Sequence, residues 1–357
     1  MILRLGLRPL GQAPFALPVA QPPEPLAPPL PDPRQEDNSG VALIRDFVEG
    51  DYPALAPISN AVWSNWPTTK GEIQRKDSRR DPRGVWRRWV AESDGSIVGF
   101  GGYLQHSWSF HPRRFDLELN LHPSHQGKGI GKALFGTVVD TLMPLNPLSL
   151  GAWTKEDHPR ALRFLRERGF VQEMRELESL LLLGGFRPGD WAHALDRLGK
   201  EGYTLIPWRL LDKGERARHA LHDLHFAICK DVPSPDPPTK SPYEQFAKRF
   251  SEPNFRPDSL FVAIAPDGTW AGMTNLWGSE GSPTHYTGLT GVLSPHRKRG
   301  LATALKAASL TAAKEAGVPD IRTWNEEGNT GMLRINGSLG FKPEPASLGC
   351  RWTIAAE

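Results

Sequence analysis

The sequence has little of several features that would fix its class at once. It contains two cysteines, Cys229 and Cys350, and no CxxC pair, which argues against a disulfide framework or a thiolate zinc site and predicts a reducing, cytoplasmic location. No uninterrupted apolar run approaches the roughly 20 residues that cross a bilayer. The net charge of +3 is too small to indicate a nucleic-acid-binding protein.

What the sequence does contain is enough apolar material for a globular protein. A chain of 357 residues with 39% apolar and 23% charged residues suits two domains better than one. Ten prolines lie between residues 9 and 33, and such a segment cannot donate the hydrogen bonds of a helix or sheet. We therefore predict a disordered, proline-rich leader over residues 1–40, with folded structure beginning near Val41.

An internal repeat organises the remaining chain. Several landmarks recur at an offset of 171 residues: Gly129 and Gly300, Trp153 and Trp324, Gly169-Phe170 and Gly340-Phe341, Gln126 and Arg297, Gly131 and Ala302. Because no landmark slips relative to the others, one architecture is used twice. A period of this length indicates a domain duplication rather than a solenoid.

Each copy mixes strands and helices, so the predicted class is α/β. Alternating apolar and polar residues from Phe115 to Leu121 predict a strand with two different faces, and Ser93-Asp94-Gly95 predicts a hairpin turn. Further strands of the first copy are predicted at 42–47, 89–92, 97–104 and 148–154, and helices at 51–65, 127–143 and 159–168. In the second copy, strands are predicted at 203–209, 260–265, 270–276, 285–293 and 321–325, a helix at 298–316, and a joining helix at 188–200.

The strongest local signal is the glycine-rich junction of strand and helix at Gln126–Gly131. Glycines allow positive φ and close approach of a ligand, and the following helix directs unpaired N–H groups and its positive dipole end at that ligand. The segment lacks the lysine-serine pair of a Walker motif and the GxGxxG spacing of dinucleotide folds. It therefore predicts a pyrophosphate cradle of another kind.

This junction resembles the acetyl-CoA signature, Q/R-x-x-G-x-G/A, of the GCN5-related N-acetyltransferases. The signature occurs twice, at Gln126–Gly131 and at Arg297–Ala302, each time followed about 40 residues later by a helix that ends in Gly-Phe. Residues 161–170 and 332–341 are similar to the last conserved helix of that family. The resemblance covers residues 41–357 and implies a tandem protein, with an N-terminal domain at 41–186, a linker helix at 187–202 and a C-terminal domain at 203–357.

The resemblance implies both a fold and a cofactor. Each copy should hold a central mixed, mostly antiparallel sheet flanked by helices, in which two central strands splay apart beside a β-bulge and leave an open edge for the pantetheine arm. The backbone amides of Leu121 and Val292 should then stabilise an oxyanion. Acetyl-CoA is the expected co-substrate, no metal is expected, and the implied cofactor-binding residues are Gln126, Gly127, Lys128, Gly129, Ile130, Gly131, Arg297, Lys298, Arg299, Gly300, Leu301, Ala302, Asn325 and Asn329.

Glu118 is the candidate catalytic base of the first copy, because it lies on the polar face of its strand, where the family often places a glutamate. The alternative is an exposed glutamate that pairs with Arg113 or Arg114. At the same offset the second copy has Leu289, so it would need another base, such as Asp231, or none. The tyrosine that often acts as general acid in the family is absent, since positions 165 and 336 hold leucine and asparagine.

Weaker signals leave several alternatives open. The basic cluster between Lys70 and Arg88 is either a solvated surface or a docking site for an acidic partner or phosphate. His222 and His225 are three apart on a predicted helix, but no third metal ligand is evident. Trp63, Trp66 and Trp277 are candidates for the wall of an acceptor pocket.

The sequence thus predicts an N-acetyltransferase that moves an acetyl group from acetyl-CoA to the primary amine of a small molecule, by direct attack in a ternary complex. Two alternatives remain: a catalytically silent acyl-CoA sensor or scaffold, and a protein or peptide N-acetyltransferase. Membrane and nucleic-acid partners are not expected, and the protein should be a monomer or homodimer.

Overall fold

The computed structural model describes residues 42–211 and 214–355. The leader predicted for residues 1–40 lies outside these ranges. None of the helices within the two ranges combines the length and apolar character needed to cross a bilayer.

One mixed sheet of twelve strands runs through the described chain, with helices packed against it. The strands are β1 (Leu43–Asp46), β2 (Arg87–Ser93), β3 (Ser96–Leu104), β4 (Arg114–Leu121), β5 (Ser149–Lys155), β6 (Val171–Leu182), β7 (Thr204–Pro207), β8 (Phe261–Ile264), β9 (Trp270–Trp277), β10 (His285–Val292), β11 (Asp320–Glu326) and β12 (Lys342–Thr353). The helices are α1 (Tyr52–Val62), α2 (Lys70–Ser78), α3 (Ile130–Leu142), α4 (Pro159–Arg166), α5 (Ala192–Lys200), α6 (Glu215–Cys229), α7 (Tyr243–Ala247), α8 (Leu301–Glu315) and α9 (Thr330–Ser338). The predicted α/β class is confirmed.

The repeat appears as two sets of five strands that enter the sheet from opposite edges. The strand order is β1-β2-β3-β4-β5-β12-β6-β11-β10-β9-β8-β7. β4 and β10 are related by the offset of 171, as are β5 and β11, and the starts of α3 and α8. The predicted turn between β2 and β3 also forms, with Asp94 and Gly95 both at positive φ, as a tight two-residue hairpin requires.

The last strands of the two halves are exchanged. β12 pairs with β5 of the first half, β6 pairs with β11 of the second half, and β6 and β12 pair with each other at the centre. The registers are equivalent, because Lys155 lies opposite Ser347 in one half and Glu326 lies opposite Glu176 in the other. The sheet therefore does not divide where the repeat does, and the proposed domain boundaries of 41–186, 187–202 and 203–357 stay a prediction.

Helix α3 shows why the first half folds around its glycine-rich loop. Ile130, Leu134, Val138 and Leu142 recur every four residues and are almost fully buried against the sheet. Each such side chain contributes about 1.5–3 kcal/mol when it leaves water. The packed stripe holds the start of α3, and with it the loop, beside the end of β4.

Candidate active site

The loop of the first copy lies between β4 and α3 and has the geometry of an anion cradle. Gly127 and Gly129 adopt φ values of +80° and +83°, which side chains rarely adopt. Gly129 is the N-cap of α3 and offers no side-chain acceptor. The first amides of the helix are therefore available to a ligand, and the positive end of the helix dipole adds to their effect.

The loop of the second copy has the same backbone conformation with a different residue. Lys298 adopts a φ of +62° at the position that corresponds to Gly127, and Gly300 adopts +86°. A non-glycine residue with a φ in the left-handed region costs on the order of 1–2 kcal/mol of conformational free energy. The left-handed turn is thus retained in the second copy although its sequence disfavours it.

The first residue of each motif fixes the end of the preceding strand. The Gln126 side chain donates to the carbonyl oxygen of Leu121 over 3.0 Å, and the Arg297 side chain donates to that of Val292 over 2.9 Å. The glutamine of the first motif and the arginine of the second thus make the same contact. Arg297 also forms an ion pair with Asp231, so the candidate base of the second copy is engaged by the loop itself.

The amides expected to form oxyanion sites point toward an open edge of the sheet. His122 donates its amide to Val98, and Leu293 donates to Ala271. Successive residues of a strand direct their amides to opposite sides, so the amides of Leu121 and Val292 point away from β3 and β9, toward β5 and β11. This orientation is the one that an oxyanion role requires.

The central strands splay apart on that side, as the resemblance implies. Pairing between β4 and β5 ends at Leu117 opposite Ala152, and β10 pairs with β11 at only two positions, the second being Tyr286 opposite Arg322. The implied β-bulge is found in the second copy, where the register of β10 against β9 shifts between Thr287 and Thr290. The expectation was wrong for the first copy, since β3 and β4 pair in unbroken register.

A cavity of about 580 Å³ lies beside the loop of the first copy. Leu119 and Leu121 form one wall, the glycines of the loop form another, and α4 closes the third. Four basic side chains line this cavity: Lys132, Arg160, Arg163 and Arg168. Asp157 and Glu167 also line it, and Glu167 pairs with Arg163 and Arg168. The size of the cavity and its excess of basic over acidic side chains suit an anionic ligand with a long arm.

A second cavity, of about 500 Å³, lies on the other face of β4. Side chains alternate along a strand, so Asp116, Glu118 and Asn120 face this cavity while Leu121 faces the first. Leu119 lines both. Residues from both halves of the chain form its wall: Trp63, Trp66, Lys76, Arg88, His106 and Trp153 from the first half, and Glu252 and Asn254 from the second.

Glu118 is paired, but not with the arginines proposed from sequence. One carboxylate oxygen, Oε2, accepts from Arg88 Nη2 at 3.0 Å and from Nε at 3.2 Å. Arg114 instead pairs with Asp236, and Arg113 donates to the carbonyl of Asn146. Burial acts to raise the pKa of Glu118, but the positive charge of Arg88, helped by neighbouring basic side chains, outweighs it and holds the pKa below its usual range.

Asp116 is a second carboxylate in the same cavity, and sequence reasoning missed it as a site residue. Burial, together with the nearby charge of Asp236, raises its pKa to about 6, against the opposing effect of Arg351. His106 Nε2 lies 3.6 Å from this carboxylate, but burial and nearby cations lower the pKa of His106 to about 3. Burial therefore favours the neutral form of both side chains. The pattern that could have identified Asp116 is the run of polar side chains at Asp116, Glu118 and Asn120 on one face of β4.

The corresponding face of the second copy is apolar. Leu289 takes the place of Glu118 and packs into a buried cluster that includes Leu221, Ile228 and Phe246. A side chain at Gly291 would overlap Ile228, so α6 lies directly on β10. The acceptor side of this copy is occupied by core residues.

Several other candidate residues have internal structural contacts. The Asn325 side chain accepts from Asn336 over 2.7 Å, and Asn329 caps α9 by accepting from the amide of Met332. Neither contact involves the second loop, and a cofactor role for these asparagines stays a prediction. Leu165, at the place of the family's tyrosine, is buried in the core.

The tryptophans and histidines singled out in the sequence have different surroundings in the structure. Trp63 and Trp66 line the cavity beside Glu118, as proposed, whereas Trp277 packs against Phe255. His222 bonds the carbonyl of Ser241, and within the described ranges no group of three or more histidine, cysteine, aspartate or glutamate residues is arranged to hold a metal.

The basic cluster is largely neutralised within the chain. Arg75 and Arg79 pair with Glu252, and Arg83 with Asp81. Arg80 and Arg88 pair with Asp77, and Arg87 with Asp46. The cluster therefore offers few free cations to an acidic macromolecule.

The model of the Acetyltransferase (GNAT) family matches the chain twice, at residues 48–170 and 215–341. The chain belongs to this family. Its fold is thus that of an N-acetyltransferase, and the duplicated match agrees with the internal repeat.

Three similar proteins illustrate the relationship. A mycothiol acetyltransferase of Nocardioides sp. is 29% identical over 242 residues, which are 63% of this chain and 76% of the relative. A mycothiol acetyltransferase of Nocardiopsis dassonvillei is 27% identical over 277 residues, 73% of this chain and 80% of the relative. A tandem GNAT protein from the clavulanic acid biosynthesis pathway superposes with a TM-score of 0.69 at 19% identity, covering 88% of this chain and all of that structure, so it shares the fold.

Proposed function

We propose that the first copy transfers an acetyl group from acetyl-CoA to the primary amine of a small molecule, by direct attack in a ternary complex. The observation that carries this proposal is the open edge of β4, where the cavity beside the loop and the cavity beside Glu118 meet at Leu119. An acyl donor on one face and an amine on the other would approach each other at this edge. Such placement accounts for much of the rate in reactions of two bound substrates.

The residues of the first loop fit the diphosphate of coenzyme A. The left-handed Gly127 and Gly129 let the backbone approach closely, and α3 directs its free amides into the cavity. Lys132 and Arg160 line the same cavity and would add charge. Acetyl-CoA, when bound, supplies a thioester that an amine can attack.

Two groups on β4 would serve the reaction. The Leu121 amide, directed at the open edge, would donate to the oxygen that becomes negative. Glu118 would hold the amine in the cavity and accept its proton, directly or through water. Leu165 cannot protonate the leaving group, so we assign that proton to solvent.

A small-molecule acceptor is supported by the relatives and by the cavity. Both curated relatives are mycothiol acetyltransferases, and the cavity beside Glu118, at about 500 Å³, lies within the usual range for small ligands. The internal pairing of the basic cluster weakens the case for a protein acceptor. A cytoplasmic location and a monomeric or dimeric state stay predictions.

Binding without transfer is a second candidate function, and it concerns the second copy alone. Its loop keeps the left-handed geometry, but Leu289 and the core residues around it leave no carboxylate on β10. We therefore assign turnover to the first copy. The second copy would support the acceptor cavity through Glu252 and Asn254.

Calorimetry with acetyl-CoA and CoA, followed by detection of released CoA across small amines and peptides, tests the proposal. We expect saturable binding and turnover with at least one small primary amine. Absence of binding would refute the proposal at its first step. Binding without turnover would favour a sensor, and turnover with peptides alone would favour a protein acetyltransferase.

A further inference from the structure

Arg88 connects the candidate base to a buried carboxylate on another element. Its side chain is 3% exposed, and it donates to Asp77 of α2 through Nη1 at 2.6 Å and to Glu118 of β4 through Nη2 at 3.0 Å. The Asp77 side chain is equally buried. One guanidinium thus bridges α2, which lines the acceptor cavity, and the central strand.

We propose that Arg88 is a positioning residue, which fixes the carboxylate of Glu118 in the acceptor cavity and keeps it deprotonated. This inference rests on the proposed function, because it assigns Arg88 a task in the proton transfer assigned to Glu118. Arg88 itself would act through Glu118, with no contact to the reacting atoms.

The strand between the two residues is built to allow the contact. Gly102 of β3 lies opposite Arg88 on one side and opposite Glu118 on the other. A side chain at Gly102 would overlap the carbonyl oxygen of Arg87 and approach the Cα of Arg88 to 3.0 Å. The lack of a side chain lets the backbones of β2 and β3 approach closely at the position where the Arg88 side chain extends from β2 to Glu118 on β4.

The buried end of the bridge is held independently of Glu118. Asp77 also accepts from Arg80 at 2.7 Å and from the Tyr52 hydroxyl at 3.1 Å. Asp77 is therefore a fixed anchor, and Arg88 is oriented before it meets Glu118. Loss of Arg88 would still leave Asp77 with a cationic partner, which lessens the cost to the fold.

The contact also leaves Glu118 able to act. Both Arg88 donors meet the same oxygen, Oε2, so Oε1 remains available to an amine or a water. Burial alone would raise the pKa of Glu118, and Arg88 is the main charge that reverses this, with smaller contributions from Lys76 and Arg80 on and beside α2. Without Arg88, the carboxylate would take up a proton at a higher pH and would lose its fixed orientation.

The test compares Arg88→Met with Arg87→Met, a neighbouring arginine whose ion pair with Asp46 is exposed. The titration of Glu118 is followed by carbon NMR of glutamate-labelled protein, assigned with Glu118→Gln. We expect the midpoint for Glu118 to rise by at least one pH unit in Arg88→Met, and to stay unchanged in Arg87→Met. An unchanged midpoint in Arg88→Met would overturn the proposal.

Kinetics supply the second measurement. In Arg88→Met, the acid limb of the kcat/KM profile should move to higher pH by as much as the NMR midpoint of Glu118, while Arg87→Met keeps the wild-type profile. An equal loss at every pH would contradict the role. Arg88→Lys, which keeps the charge, should restore most of the titration midpoint and is the variant to use if Arg88→Met does not fold. The NMR titration needs no acceptor, so it is independent of turnover. If the midpoint of Glu118 shifted but no amine gave turnover, the proposed function would be refuted, while the electrostatic effect of Arg88 on Glu118 would still hold.

Discussion

The guanidinium of Arg197 donates to the carbonyl oxygen of Arg299 over 3.0 Å. Helix α5 is thereby attached to the glycine loop of the second copy. The same guanidinium nitrogen lies 2.8 Å from the point at which a side chain on Gly300 would begin. The second loop is thus engaged by its own chain, whereas the first opens into a cavity lined by basic side chains.

This difference predicts that the first loop accounts for the measurable affinity for acetyl-CoA. We expect Gly129→Glu to weaken binding at least tenfold, because a carboxylate there would repel the diphosphate and because φ at this position is +83°. Gly136→Glu is the matched control, since it adds the same charge on α3 where open space surrounds the glycine. Calorimetry with acetyl-CoA measures the affinity of both variants and of Gly300→Glu. Unchanged affinity in Gly129→Glu would contradict the assignment of binding to the first loop.

Glu118→Gln should reduce kcat by roughly 10²–10⁴-fold, the usual contribution of a general base. Because the pKa of Glu118 lies below its usual range, the wild-type enzyme should show no loss of activity from this group at neutral pH. The activity should instead follow the ionisation of the acceptor amine. Asp231→Asn, at the candidate base of the second copy, should leave kcat unchanged, and a comparable loss in both variants would move the chemistry away from β4.

The sequence predicted the parts of the fold that depend on short-range rules. The glycine loops, the Asp94-Gly95 turn and the alternating strand β4 follow from backbone conformation and side-chain period, and each is present. The bounds of helix α2 could not be predicted, because Ile73 is the single large apolar residue among its nine positions. Charge pairs and a capping box hold this helix in place, and neither leaves a periodic signal.

The strand exchange and the partner of Glu118 could not be read from the sequence for a different reason. β6 carries Glu176 and Glu178 where a central strand is expected to be apolar, and Glu178 is buried in an ion pair with Lys155. Arg88 and Glu118 are 30 positions apart and meet across Gly102 of the strand between them. Such contacts depend on strand order, which local patterns do not specify.

Lys306 predicts an unusual pH dependence of stability. Its side chain is 3% exposed on α8, where the first copy has Phe135, and its ammonium lies 5.2 Å from the ring centre of Phe341. Burial lowers its pKa from 10.5 to about 7. Between these values the unfolded chain binds more protons than the folded one, so the free energy of unfolding should rise with pH from about 7 to about 10.

Lys306→Met should therefore stabilise the protein at neutral pH, on the order of 3 kcal/mol, and flatten this rise. Lys200→Met, at an exposed position of α5, should change stability by less than about 0.5 kcal/mol. Chemical denaturation at pH 7 and pH 10 measures both. A destabilised Lys306→Met at pH 7 would show that the ammonium has a stabilising role in the folded state.

Glu252 predicts that the second half of the chain affects binding of the acceptor to the first. Its side chain is 8% exposed and pairs with Arg79 at 3.2 Å and Arg75 at 3.7 Å, both on or beside α2. Glu252→Ala should remove the carboxylate that pairs with Arg79, while Arg75 keeps its ion pair with Glu280, and should loosen the wall of the cavity. Because the cofactor loop is on the other face of β4, KM for the amine should rise several-fold while KM for acetyl-CoA stays within twofold.

Glu244→Ala is the matched control, since Glu244 is an exposed glutamate of the same segment. Steady-state kinetics with the amine that gives turnover, varying each substrate while the other is saturating, separates the two constants. A rise in KM for both substrates would indicate a general loss of structure, and thermal unfolding of the variant would confirm it. An unchanged KM for the amine would mean that the acceptor does not reach the part of the cavity that the second half contributes.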